Sequence, residues 1–215
     1  MIFKDRTEAG EKLAEKLIDL KEKETVLYAL PRGGVIVGAA IAQKLKIPLD
    51  IIVACKIGHP LQPEFGIAAV SESGHLISNE EMVATVDQEW FRDEVARQQE
   101  RARKEREKFT RSQKMIPAQN RTAILVDDGV ATGLTLMAAI EELKDQKPAK
   151  IIVAVPVIPP DTARKIEEII DQLVALEIPT HFAGAVGAYY ESFPQVSDEE
   201  VIKLLKNGAT NSFAN

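Results

Sequence analysis

The chain has 215 residues, 45% hydrophobic and 28% charged, with no long biased tract, which is enough apolar material for one good core. A formal net charge of −6 argues against a general nucleic-acid or membrane-surface binder, and a single cysteine, Cys55, excludes an internal disulfide or a multi-cysteine zinc site. The first 20 residues lack an apolar signal core and no apolar run approaches a membrane span, so the expectation is a cytoplasmic protein with small partners, no membrane and no nucleic acid.

In chain order, Asp5 and Glu8 have capping-box spacing, and Leu13, Leu17 and Leu20 recur at helical spacing, which predicts an amphipathic helix over 7–22. TVLYAL (25–30) reads as a strand. Pro31, Arg32, Gly33 and Gly34 follow, then VIVGAAIAQKL, a buried helix closed by Pro48. LDIIVAC (49–55) reads as a second buried strand, with Cys55 a buried inert thiol. KIGHPLQPEFG (56–66) mixes glycines, prolines and charges as a ligand-facing flexible loop would, and 67–78 reads as a hairpin.

From Asn79 to Gln113 there is neither proline nor glycine, which predicts one long helix within a helical insertion at 79–114. Met82, Val86 and Trp90 share a face and should dock. The stretch 97–111 is polar all round and reads as a solvated arm, with eight basic and three acidic residues between Arg97 and Lys114. Beyond it come a strand near 123, a helix through Leu136, Ile140 and Leu143 ending at Pro148, a strand at 151–157, a helix capped by Asp161 and a short strand at 173–176. A C-terminal hood over 177–215 holds a last helix, with a capping box at Ser197 and Glu200.

Five buried strands separated by helices imply an α/β fold: an open, mainly parallel five-stranded sheet with helices on both faces. In the flavodoxin-like order 2-1-3-4-5, the first and third strands flank the topological switch point, where such folds bind ligands. The loops there are PRGG and DDGVATG. In GVATGLT, Gly129 and Gly133 let backbone N–H groups turn toward an anion, and Thr132 and Thr135 add hydroxyl donors where a helix begins. Asp127 and Asp128 end a buried strand, where carboxylates are costly unless paired; vicinal hydroxyls or a divalent cation would pair them. Arg32 offers charge-assisted bonds to a second phosphate. A polyphosphorylated ribose satisfies both loops.

The run ILVDDGVATGLT resembles the motif with which type I phosphoribosyltransferases bind 5-phosphoribosyl pyrophosphate (PRPP). FKDRTEAGEKLAEKL, ALPRGGVIVGAAIA, CKIGHPLQPEFGIAAV and AVGAYYESFPQVSDEEV extend the likeness, to a group of uncharacterised phosphoribosyltransferases, over almost the whole chain, taken as one domain of 1–215. The resemblance implies that Asp127 and Asp128 hold ribose hydroxyls and, mainly through PRPP or water, Mg²⁺. It implies that Gly129, Val130, Ala131, Thr132, Gly133 and Thr135 cradle the 5′-phosphate, and that Arg32 and Gly33 line the pyrophosphate loop. Lys56 would reach phosphate oxygens, and the loop with His59 and Glu64 would close as a lid, so Asp127, Asp128, Lys56 and Arg32 form the expected catalytic set. Ala131 stands where hypoxanthine-guanine enzymes carry an aspartate, which removes any specific case for 6-oxopurines.

The reaction implied is transfer of 5-phosphoribosyl from PRPP, with Mg²⁺, to a nitrogen nucleophile. The alternative is a regulatory protein of the same fold that senses PRPP or a nucleotide and contacts RNA through the basic helix. A Rossmann-type reading is disfavoured because the strand after GVATG ends in VPVIPP and lacks the acidic residue that holds a ribose. His59, His75 and His181 show no metal-ligand spacing. Phe182, Tyr189 and Tyr190 suit either an acceptor base or core packing, and a homodimer is one assembly open to the chain.

Overall fold

A computed structural model describes residues 1–20 and 24–210, with side chains through residue 207. Helix α1 (Arg6–Lys16) is capped by Asp5, whose Oδ1 accepts from the Glu8 N–H at 2.9 Å. A 3₁₀ turn (Ile18–Leu20) follows, so the predicted helix over 7–22 ends earlier than its leucine periodicity suggested. Then come β1 (Thr25–Ala29), α2 (Gly33–Leu45) and β2 (Leu49–Ile51). An annex of β3 (Ala54–His59), β4 (Gln62–Ser71) and β5 (Leu76–Ser78) precedes α3 (Glu80–Val83) and α4 (Gln88–Thr110). The chain returns through β6 (Thr122–Val126), α5 (Leu134–Lys144), β7 (Lys150–Val157), α6 (Pro160–Glu167) and β8 (Gln172–Glu177), and α7 (Asp198–Thr210) is the last element.

The main sheet has five strands in the order β2-β1-β6-β7-β8, all pairs parallel, which is the expected 2-1-3-4-5 arrangement. Alternation of side chains divides the core. Leu27, Ala29, Ile124, Val126, Ile152 and Ala154 pack with α1, α2 and α7, whereas Val26, Tyr28, Ala123, Leu125, Ile151 and Val153 pack with α5 and α6. Each fully buried aliphatic side chain of this kind contributes about 1.5–3 kcal/mol.

Five further expectations are corrected. LDIIVAC is not one strand: 49–51 belongs to the main sheet, and from Ala54 the chain enters a second, antiparallel sheet in the order β3-β4-β5. Ile52, Val53 and Cys55 are all buried, so an apolar run serving two sheets looks continuous in sequence. KIGHPLQPEFG is not an irregular loop but the ribbon of β3 and β4, folded tightly because Gly58 faces Gly66 and a Cβ at Gly58 would lie 2.1 Å from the Pro63 carbonyl oxygen. The expected hairpin over 67–78 is present as β4 and β5.

The predicted single helix of 79–113 is two. Asn79 caps α3 and Asp87 caps α4, its Oδ1 accepting from the Trp90 N–H at 2.8 Å, while Thr85 Oγ1 donates back to the Met82 carbonyl at 2.6 Å. Side-chain competition of this sort breaks a helix without proline or glycine. Met82, Val86, Trp90 and Phe91 dock on the annex sheet as expected.

The second half of α4 is not a solvated arm either. Ala102 and Phe109 join the main core beside Val201 and Leu205 of α7, and Arg106 is 8% exposed. Its guanidinium reaches Asp50 at 3.3 Å and Glu72 Oε1 at 3.5 Å and donates to the Ile51 carbonyl. A charged residue on a buried stripe breaks the polarity pattern, so that pattern misplaced the whole segment. Asp161 lies inside the first turn of α6, whose N-cap is Pro159.

Candidate functional site

Because β1 and β6 are adjacent and parallel, the loops after them leave the sheet side by side. Leu30 N–H donates to the Val126 carbonyl at 2.9 Å, and α2 then starts at Gly33, after a cis peptide bond between Pro31 and Arg32. The two glycines let α2 abut the end of β6. A Cβ at Gly33 would lie 1.8 Å from Asp128 Oδ2, and one at Gly34 would lie 3.0 Å from Asp127 Cα.

The carboxylates occupy different environments. Asp127 Oδ1 accepts from the Asp128 N–H at 2.8 Å, and burial together with the neighbouring Asp128 charge holds its carboxyl well above the usual range. Asp128 is paired: Arg6 Nε donates to its Oδ2 at 2.7 Å, and Tyr190 Oη donates to its carbonyl at 2.6 Å. Burial and Asp128 raise the Tyr190 hydroxyl above its ordinary range, so it acts as a donor.

The following loop is pinned from below. Val130 N–H donates to the Val157 carbonyl at 2.9 Å, and Thr162 Oγ1 donates to the Ala131 carbonyl at 2.8 Å. The Val130 side chain is in the core, so neither its side chain nor its N–H is free to meet an anion, whereas Ala131 and Thr132 are exposed. Gly133 opens α5 with φ 77°, a left-handed conformation suited to glycine, and a Cβ there would lie 2.6 Å from Thr162 Cγ2.

Beside these loops lies a cleft of about 510 Å³ bordered by Arg6, Arg32, Gly33, Lys56, Arg101 and Thr135, with Cys55 in its wall. Burial raises the Cys55 thiol to about 11, as expected of an inert thiol. Of the expected residues, Arg32, Gly33, Lys56 and Thr135 line the cleft, and Asp127 and Asp128 adjoin it through Gly33 and Arg6. His59 and Glu64 do not line it. His59 lies with Leu61, Gln62, Phe65 and Met82 at the ribbon tip, and the Glu64 carbonyl accepts from Lys56 Nζ at 3.0 Å. Arg32 Nε meets Asp198 Oδ1 at 2.8 Å, at the start of α7.

The model of the phosphoribosyl transferase domain matches residues 3–192. The chain belongs to the phosphoribosyl transferase family. It is 38% identical over 210 residues to a protein of Mycobacterium tuberculosis (strain ATCC 25618 / H37Rv) named as a candidate phosphoribosyl transferase, Rv0571c. The match takes in 95% of this chain and 46% of that protein, so the chain spans about half the length of the curated relatives it matches. It also resembles the crystal structure of TT1426 from Thermus thermophilus, with 39% identity, a TM-score of 0.80, and coverage of 97% of this chain and 100% of that one.

Within this family fold, sequence reasoning missed Arg6, Phe193 and Asp198, and it left Tyr190 open between an acceptor base and core packing. A signal for Arg6 existed: an arginine in the first turn of a helix opposes the macrodipole, so a partner elsewhere should hold it there. Nothing local marks Asp198, which reaches the site only through the return of the C-terminal segment. Tyr189 and Tyr190 are each 7% exposed and pack with Phe3, Ala9 and Val157, so the tertiary structure uses them for packing. Among the described residues, no group of three or more His, Cys, Asp or Glu side chains is arranged to hold a metal ion, and no helix is long and apolar enough to cross a membrane.

Proposed function

We propose that this chain is a phosphoribosyltransferase that takes PRPP with Mg²⁺, transfers its 5-phosphoribosyl group to a nitrogen nucleophile and releases pyrophosphate. The observation that carries the reading is the contact of Gly33 and Gly34 with Asp128 and Asp127 at the switch point, beside a cleft bordered by Arg6, Arg32, Lys56 and Arg101. In it, Asp127 and Asp128 face the ribose hydroxyls. The exposed Ala131 and Thr132 and the start of α5 at Gly133 to Thr135 face the 5′-phosphate.

Two adjacent carboxylates, with no further cage among the described residues, fit Mg²⁺, which takes hard oxygen donors and is commonly held by one or two carboxylates together with substrate phosphates and water. Asp127 and Asp128 would hold it, largely through water or PRPP. When bound, it would supply charge neutralisation to the leaving group. The bond from ribose C1 to the pyrophosphate oxygen breaks with its electron pair leaving on pyrophosphate, and the acceptor nitrogen bonds to C1 and loses its proton to solvent. Arg32 and Lys56 neutralise the departing charge. Ala131 contributes no acid or base to the acceptor.

The test is pyrophosphate release from PRPP and Mg²⁺ with a panel of nucleobases and small amines. Turnover that is lost in Asp128→Asn supports the reading, and PRPP binding without turnover on any acceptor shifts it to a PRPP sensor.

A further inference from the structure

Arg6 lies outside both switch-point loops, yet among the described residues it is the cation paired with the motif carboxylate Asp128. Its side chain is 8% exposed and held on three sides: Nε donates to Asp128 Oδ2 at 2.7 Å, Nη1 donates to the Pro194 carbonyl at 2.8 Å, and Cζ lies 3.7 Å from the Phe193 ring centroid. The place is shaped for this contact, because a Cβ at Gly33 would sit 1.8 Å from Asp128 Oδ2 and 2.8 Å from Arg6 Nε. Tyr190 holds the Asp128 carbonyl from the same C-terminal segment at 2.6 Å.

We propose that Arg6 is the positioning residue for Asp128: it fixes the carboxylate so that its remaining lone pairs face the ribose hydroxyls, and it ties that orientation to the 190–194 segment. This rests on the reading of the site as a PRPP pocket. An ionised carboxylate has about four acceptor positions, of which the Arg6 contact uses one. A side chain already held in its binding orientation loses less freedom when the sugar arrives, which raises affinity without adding a contact to the ligand. The planar guanidinium fork can aim one donor at Asp128 and another at Pro194 while stacking on Phe193. A lysine ammonium offers no such fixed fork.

The experiment measures binding of ribose 5-phosphate and of inorganic phosphate, both with Mg²⁺, to the native chain, Arg6→Gln, Arg6→Lys, Asp128→Asn and the Arg6→Gln/Asp128→Asn double variant. Thermal melting verifies folding. Arg6→Gln should weaken ribose 5-phosphate by about tenfold or more and leave inorganic phosphate within about twofold, because only the sugar presents hydroxyls to Asp128. Arg6→Lys should lose as much, and in the Asp128→Asn background Arg6→Gln should cost less than about twofold further.

Equal loss for both ligands would make Arg6 a general anion site and overturn the proposal. So would no loss, rescue by lysine, or full additivity with Asp128→Asn. If Arg6→Gln does not fold, Arg6→Lys and Phe193→Leu carry the test: both should weaken the sugar phosphate selectively, and unchanged sugar binding in both would overturn it. A native chain that binds neither ribose 5-phosphate nor PRPP would instead overturn the PRPP reading itself.

Discussion

Two places in this protein set an arginine beside a pair of carboxylates: Arg106 meets both Asp50 and Glu72, whereas Arg6 meets Asp128, whose neighbour in the chain is Asp127. In the first, every direction is closed. Asp50 also accepts from the Ile51 and Ile116 N–H groups, each at 2.7 Å, and Arg106 is enclosed by β2, the turn after β4 and its own helix. In the second, Arg6 and Gly33 border a cleft, and Asp127 Oδ1 accepts from the N–H of its neighbour Asp128. Both clusters contain a carboxyl raised above its ordinary range, Glu72 to about 7 and Asp127 in the same direction. A perturbed carboxylate therefore does not by itself mark a ligand site. Position separates them: one cluster joins the annex to the sheet edge, and the other, proposed above as the ligand site, sits where parallel strands end at the switch point.

The comparison breaks most sharply at Arg106. Arg106→Leu leaves Asp50 and Glu72 buried without their cation and should cost about 3–5 kcal/mol in urea unfolding, with no selective effect on ligand binding. Asp128→Asn should do the reverse: stability stays within about 1 kcal/mol, because loss of the Arg6 pair is offset by relief of repulsion from Asp127. PRPP binding by calorimetry then falls roughly tenfold to a hundredfold. If the two variants exchange these effects, the distinction between the clusters is wrong.

A smaller effect lies in pH. Desolvation, opposed by Arg106 and reinforced by Glu142 and Asp50, raises Glu72 from its ordinary 4.5 to about 7. The folded chain therefore holds this proton more tightly than the unfolded chain. Its contribution to stability is complete below about pH 4.5 and is lost as pH rises toward 7. Denaturation midpoints of Glu72→Gln measured across that window should fall less steeply with pH than those of the native chain. The smallest effect belongs to the exposed α4 face, where Glu100→Gln, which removes a 3.3 Å pair with Lys104, should change stability by less than about 0.5 kcal/mol.

Much of the main sheet was legible because its strands are apolar runs of the right length between helical patterns, and DDGVATG named its own neighbourhood by composition. The annex was not legible. Its strand β3 continues an apolar run begun in another sheet, and α4 hides Arg106 within a polar stripe. The break before α4 is written locally, in Thr85 and Asp87, but a cap inside a helical pattern is easily passed over when no glycine or proline marks it.

By itself, the sequence determined the alternation of strands and helices in the main sheet and the two switch-point loops, because local periodicity and turn chemistry act over a few residues at a time. Only the tertiary structure decided which charges meet. It set Arg6 on Asp128, Arg32 on Asp198 and Arg106 on Asp50 and Glu72. Each of these pairs joins residues far apart in the chain, and no local pattern records a partner that arrives only when the core closes.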